Sequence, residues 1–144
     1  MRENIVYTKI LYATDLDNNH FDLCEKSANF AKQFHAKLYL MHVIEPPASL
    51  QLAQGLGFAE FDQPIKDNAE IVMRTVGDAL NIPINQQYVT IGSIKEQILN
   101  KVIELGCDLI IIGSHTPSNI PLFLGSTAHA IIHHAKCDVL TLRV

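Results

Sequence analysis

Two short segments carry the residue types best suited to meet an anionic ligand. Gly113-Ser114-His115-Thr116-Pro117 follows the apolar run Leu109-Ile110-Ile111-Ile112, and Leu124-Gly125-Ser126-Thr127 precedes a segment of helical period. Glycine after a buried strand lets the backbone approach a ligand closely, because no Cβ intervenes. A Gly-Ser-Thr run that opens a helix presents unpaired N–H groups, two hydroxyls and the positive end of the helix dipole, a combination that suits phosphate. The same run also reads as architecture alone, with Gly125 in a tight turn and Ser126 or Thr127 capping the helix. Asp15 has a similar double reading, as a turn former or as a carboxylate facing the same crevice. His129, His133 and Cys137 recur every four residues, and histidines at i and i+4 can share a zinc ion. Ala130 stands where the glutamate of H-E-x-x-H belongs, and Cys137 falls near the helix exit. No metal site is expected; exposed helix-face histidines near a C-terminal dipole account for the pattern.

Other chemistries lack their motifs. There is no G-x-x-x-x-G-K-[ST] loop, no G-x-G-x-x-G after the first strand and no G-x-S-x-G elbow, which argues against a P-loop ATPase, a dehydrogenase and a conventional hydrolase. Eleven basic against fifteen acidic residues give a net charge of −4, so no basic field is available to displace counterions from a nucleic acid. The apolar runs are strand-sized, far below the roughly 20 residues that span a bilayer. The N-terminal MRENIVYTK has no apolar signal core. A cytoplasmic protein that engages neither membrane nor nucleic acid is expected. Cys24, Cys107 and Cys137 are odd in number and form no C-x-x-C pair, so neither a disulfide framework nor a zinc ribbon is encoded.

The elements that must position these residues alternate in type. Lys9 to Thr14, Lys37 to Ile44, Gln87 to Ile91, Asp108 to Gly113 and Val139 to Val144 read as strands, short and rich in β-branched or aliphatic residues. The first helix is expected after an Asn19 N-cap, on the face of Phe21, Cys24, Ala28, Ala31 and Phe34. A second fits Ile65, Ala69, Val72, Met73, Val76 and Leu80, stopped by Asn81 and Pro83. Ser93-Ile94-Lys95-Glu96 is a capping box opening a third, which ends at a C′ glycine, Gly106. A fourth should run from about Ser126 to Ala135. Residues 45 to about 64 hold three prolines and two glycines and read as a long irregular connection. The order β-α-β-α-β-α-β-α-β, with strands apolar on both faces, predicts a doubly wound α/β sandwich in one domain spanning 1–144. Such sheets bind small molecules beyond the carboxyl ends of their strands, where strand order reverses.

Ala13-Thr14-Asp15 ending the first strand, His42-Val43 ending the second, and the C-terminal stretch GSHTPSNIPLFLGSTAHAIIHHAKCDVLTLRV together resemble the universal stress protein family over essentially the whole chain. The resemblance implies a Rossmann-like three-layer sandwich with four helices and a five-stranded parallel sheet in the order 3-2-1-4-5. It brings Asp15 and Gly113 to one crevice. One branch of the family binds ATP through Gly-x₂-Gly-x₉-Gly-Ser/Thr, and another lacks the motif and does not. Carried over by position, Ala13, Thr14 and Asp15 would line the adenine side with Val43 against the base and Ile112 beside it. Gly113 and His115 would approach ribose and phosphates, and Gly125, Ser126 and Thr127 would hold the phosphates.

Two departures bear on this site. Thr116 replaces the second glycine, and eight residues rather than nine separate it from Gly125. The shortened form resembles a subgroup that retains nucleotide binding, often with arginine at the Thr116 position. Here no Lys or Arg lies between Lys101 and Lys136, leaving N–H groups, hydroxyls and a dipole contributing roughly 0.3–1 kcal/mol to meet the phosphates. The expected ligand is ATP or a related adenine nucleotide, with or without magnesium, bound weakly as a regulator. The alternative is a dimeric interaction module with no nucleotide. An enzyme is the weakest reading and any ATPase activity should be slight, since no general base, metal cluster or lysine is placed to act. Val139, Leu140, Thr141, Leu142 and Arg143 form an edge strand without proline or inward lysine. A homodimer through this strand is expected, as the resemblance also implies.

Overall fold

The computed structural model describes residues 6–16, 20–56, 62–114 and 125–143. Its strands are β1 (Lys9–Ala13), β2 (Lys37–Ile44), β3 (Gln87–Ile91), β4 (Leu109–Ser114) and β5 (Asp138–Arg143). The helices are α1 (His20–Gln33), α2 (Ala48–Gly55), α3 (Asp62–Leu80), α4 (Ile94–Leu105) and α5 (Ser126–His134), with a 3₁₀ turn at Ile84–Gln86 before β3. The expected Asn19 cap and Val144 lie outside the described residues.

Alternation along the central strands separates the core into two halves. Ile10, Leu38, Leu40, Leu109 and Ile111 pack with Cys24, Ala28 and Ala31 of α1 and with Met73 and Val76 of α3. Their neighbours Leu11, Met41, Val43, Ile110 and Ile112 pack on the other face with Ile98 and Val102 of α4 and Ala128 and Ile131 of α5. Strands buried on both faces need helices on both faces, and right-handed crossovers supply them. The five strands pair in parallel in the order β3-β2-β1-β4-β5, as expected. Strand order therefore reverses between β1 and β4.

Residues 48–55 form a helix, where an irregular connection was expected. Pro46 and Pro47 stand just before α2, and the Gln51 side chain closes its entry by donating from Nε2 to the Pro46 carbonyl at 2.8 Å. Pro64 falls in the first turn of α3, where its missing N–H costs nothing. These prolines mark helix starts rather than a loop. The buried seam of α3 is also narrower than its periodicity suggests. Met73 and Val76 are buried, whereas Ile65 and Val72 are 49% and 39% exposed, which removes them from the expected core face.

Three helices end alike. His35, Asn81 and Gly106 take left-handed φ values of 55°, 58° and 69°, and the N–H of each following residue reaches five residues back, as in Ala36 to Ala31, Ile82 to Gly77 and Cys107 to Val102. This is the Schellman closure. At the N-terminus of α4, Ser93 accepts from the Glu96 N–H at 3.4 Å, giving the forward half of the expected capping box.

Asp108 ties the entry of β1 to that of β4. Its carboxylate accepts from the Thr8 N–H at 2.9 Å, the Thr8 hydroxyl at 3.0 Å and the Lys9 N–H at 3.2 Å. Burial pushes this carboxyl up, but those donors outweigh burial and hold it below its usual value. A depressed folded pKa contributes stability above the unfolded pKa of about 3.9, lost as pH falls through the folded value. Asp108→Ala is expected to cost about 1.5 kcal/mol at neutral pH, the low end for bonds to a charged group. In urea denaturation, the gap from wild type should close below about pH 4.

Candidate functional site

Ala13 of β1 pairs with Ile112 of β4 at the reversal of strand order. Beyond these residues, at the carboxyl ends of the strands, opens a cavity of about 290 Å³. Ala13, Met41, Val43 and Ile112 form its apolar floor, Ile94 and Ile98 of α4 one wall, and Thr127 and Ala128 of α5 another. Thr14, Asp15, His42 and Gly113 complete the rim.

The polar side is held in place by the backbone. The Thr14 N–H donates to the Met41 carbonyl at 2.8 Å, extending the β1–β2 ladder one bond past the strand. Its hydroxyl oxygen accepts from the Leu16 N–H at 3.1 Å, and its carbonyl lies 2.8 Å from His42 Nδ1. A carbonyl only accepts, so Nδ1 is the donor in this bond. Leu16 pays for the sharp exit with a left-handed φ of 57°, a strain found at ligand-binding turns. The result leaves Asp15 exposed at the cavity rim. Beneath the turn, burial pushes the Cys24 thiol up to about 12, with a Thr14 hydrogen bond opposing it. A thiol so placed is not a nucleophile.

The start of α5 resolves one of the two readings of its sequence. Gly125 is the N-cap, with φ −57° and ψ 153° and no side-chain cap bond. Ser126 and Thr127 therefore occupy the first helical positions with exposed hydroxyls, and neither caps. Gly125 has no positive φ, and a Cβ there would meet none of the described residues within 4 Å.

Seven expected site residues line one cavity: Ala13, Thr14, Asp15, Val43, Ile112, Gly113 and Thr127. Gly125 and Ser126 lie just upstream of Thr127 but outside the lining. His115 and Thr116 fall outside the described residues. Met41, His42, Ile94, Ile98 and Ala128 also line the cavity and were not among the expected site residues. The available signal was position, since Ile94 and Ile98 open the helix that follows β3 and so stand at the carboxyl end of the sheet. A second cavity, between α3 and β3, carries Glu70 and Arg74 and lies at the sheet edge rather than at the strand reversal. His129 and His133 are exposed with ring centroids 4.6 Å apart. Among the described residues no group of three metal-ligating side chains occurs, and no helix is long and apolar enough to cross a membrane.

A doubly wound parallel sheet with its cavity at the strand reversal defines a Rossmann-like α/β protein. The model of the universal stress protein family matches residues 6–143. The chain is 39% identical over 140 residues to universal stress protein A homolog 2 of Coxiella burnetii, covering 96% of each. A hypothetical protein solved as a test case of structural genomics shares the fold at a TM-score of 0.77 and 23% identity, covering 97% of this chain and 98% of that one. A universal stress protein solved in complex with cAMP does so at 0.67 and 18%, covering 96% and 98%. This chain belongs to the universal stress protein family.

Proposed function

We propose that this chain is a single-domain, cytoplasmic universal stress protein whose crevice holds ATP or another adenine nucleotide as a regulatory ligand in the stress response. The observation that carries this reading is the cavity itself, an apolar slot at the strand reversal that reaches the first turn of α5, whose N-cap Gly125 makes no side-chain cap bond. Val43, Ala13 and Ile112 offer flat apolar surface to a base. Thr14 and Asp15 line the adenine side, and Gly113, with His115 two positions on in sequence, approaches the ribose and phosphates. Gly125, Ser126 and Thr127 meet phosphate with helix-start N–H groups and hydroxyls. The cAMP complex of a relative of the same fold supports a nucleotide in this crevice. No residue is assigned to catalysis, so hydrolysis of a bound nucleotide should be slight. The homodimer through β5 belongs to the same proposal. Thr116 in place of glycine favours the second reading, a dimeric interaction module that binds no nucleotide.

Native mass spectrometry of freshly purified protein, followed by calorimetric titration with ATP, AMP and GTP, separates the two. An adenine nucleotide should bind and GTP should not. Ser126→Ala should remove one charge-assisted bond, about 1.5–3 kcal/mol or ten- to a hundredfold in affinity. Absence of heat with every adenine nucleotide at millimolar concentration would establish the interaction module instead.

A further inference from the structure

We infer that the crevice selects adenine nucleotides carrying a single phosphate over the triphosphate, an inference that rests on the adenine-nucleotide reading above. The charges set this preference. None of the described residues lining the cavity is lysine or arginine, and the one carboxylate among them, Asp15, stands exposed at the rim. His42, the lining imidazole, spends its Nδ1 proton on the Thr14 carbonyl. Lys95 follows Ile94 on α4 but does not line the cavity. The sequence carries no Lys or Arg from 102 to 135, the stretch that includes the end of β4 and the whole start of α5. Among the described residues at the cavity, the positive field that meets a phosphate is therefore that of the α5 N-terminus, equivalent to roughly half an elementary charge.

A phosphate monoester carries about −1.5 to −2 at neutral pH. One such group can be met by the α5 amides and the Ser126 and Thr127 hydroxyls. Two further ionised phosphates would find no lysine or arginine among the described lining residues, and their own charge would be screened only by solvent and salt. Size points the same way, because about 290 Å³ lies at the bottom of the roughly 300–1,000 Å³ range of small-molecule sites. The slot suits a nucleoside with one phosphate at its mouth.

Calorimetric titration of the full chain with adenosine, AMP, cAMP and ATP, without magnesium, tests this. AMP or cAMP should bind at least tenfold tighter than ATP, and comparison of the two shows whether the open or the cyclic ester is preferred. Raising the salt concentration should narrow the gap to ATP, because screening relieves charge repulsion and leaves steric exclusion unchanged. Thr127→Arg, placing a cation at the cavity wall, should raise ATP affinity tenfold or more relative to AMP. ATP binding as tightly as AMP, or tighter, in the wild-type chain would overturn the selectivity while leaving the nucleotide site intact. Failure of all four compounds to bind would overturn the proposed function and this inference together.

Discussion

Gly125→Val is expected to abolish binding of phosphorylated adenine ligands while leaving adenosine affinity unchanged. Position 125 has a backbone that any residue can adopt, with φ −57°, and an added Cβ would meet open space. The substitution therefore meets no clash among the described residues. Valine caps a helix less well than glycine, so a stability loss of up to about 1 kcal/mol is anticipated. The ligand is what the side chain would displace. A phosphate accepting from the first amides of α5 must come close to the backbone at 125, and a branched side chain would hold it off. Loss of two charge-assisted bonds corresponds to about a hundredfold or more in affinity. Calorimetry with AMP and adenosine, with thermal melts as the control, reads both effects. An AMP affinity unaffected by valine would move the phosphate away from α5.

Thr141→Pro should convert the proposed dimer to monomer. β5 closes one side of the sheet, pairing with β4 alone. Thr141 and Arg143 are exposed, and Val139, Leu140 and Leu142 are half-buried, leaving apolar surface on a strand that, among the described residues, is the sheet's edge. A second copy related by a two-fold axis would pair both edges at once. Proline removes an N–H from the strand and cannot be accommodated within a continuous sheet across two chains. Light scattering should then report half the wild-type mass, with circular dichroism confirming that the fold persists. A dimer that survives the substitution with its fold intact would place the interface elsewhere.

Most of the architecture was legible because two periodicities dominate this chain. The bounds of β2 and β3 match the short apolar runs read from Lys37 to Ile44 and from Gln87 to Ile91. Gly106 ended α4 as its left-handed role requires. α2 was missed because proline was weighed as a loop signal, although Pro46 and Pro47 lead into a helix. His35 was not recognised as a helix terminus, because a non-glycine residue takes the left-handed position there. At the site, the family resemblance located the rim, but not the wall formed by Ile94 and Ile98. An isoleucine that lines a cavity and one that fills a core share a helical period. Chain order puts the first turns of α4 and α5 at the carboxyl end of the sheet, and the sheet's three-dimensional order brings them to the ends of β1 and β4.

The central claim is that an adenine nucleotide occupies the crevice at the reversal of strand order. The most direct test is a two-dimensional NMR titration of the isotope-labelled chain with AMP, following backbone amides. The account predicts saturable shifts at Ala13, Val43, Ile112, Gly113 and Thr127, with those of β5 and the α3–β3 cavity unmoved. Saturable shifts confined to the residues around Glu70 and Arg74, or none at millimolar AMP, would contradict it.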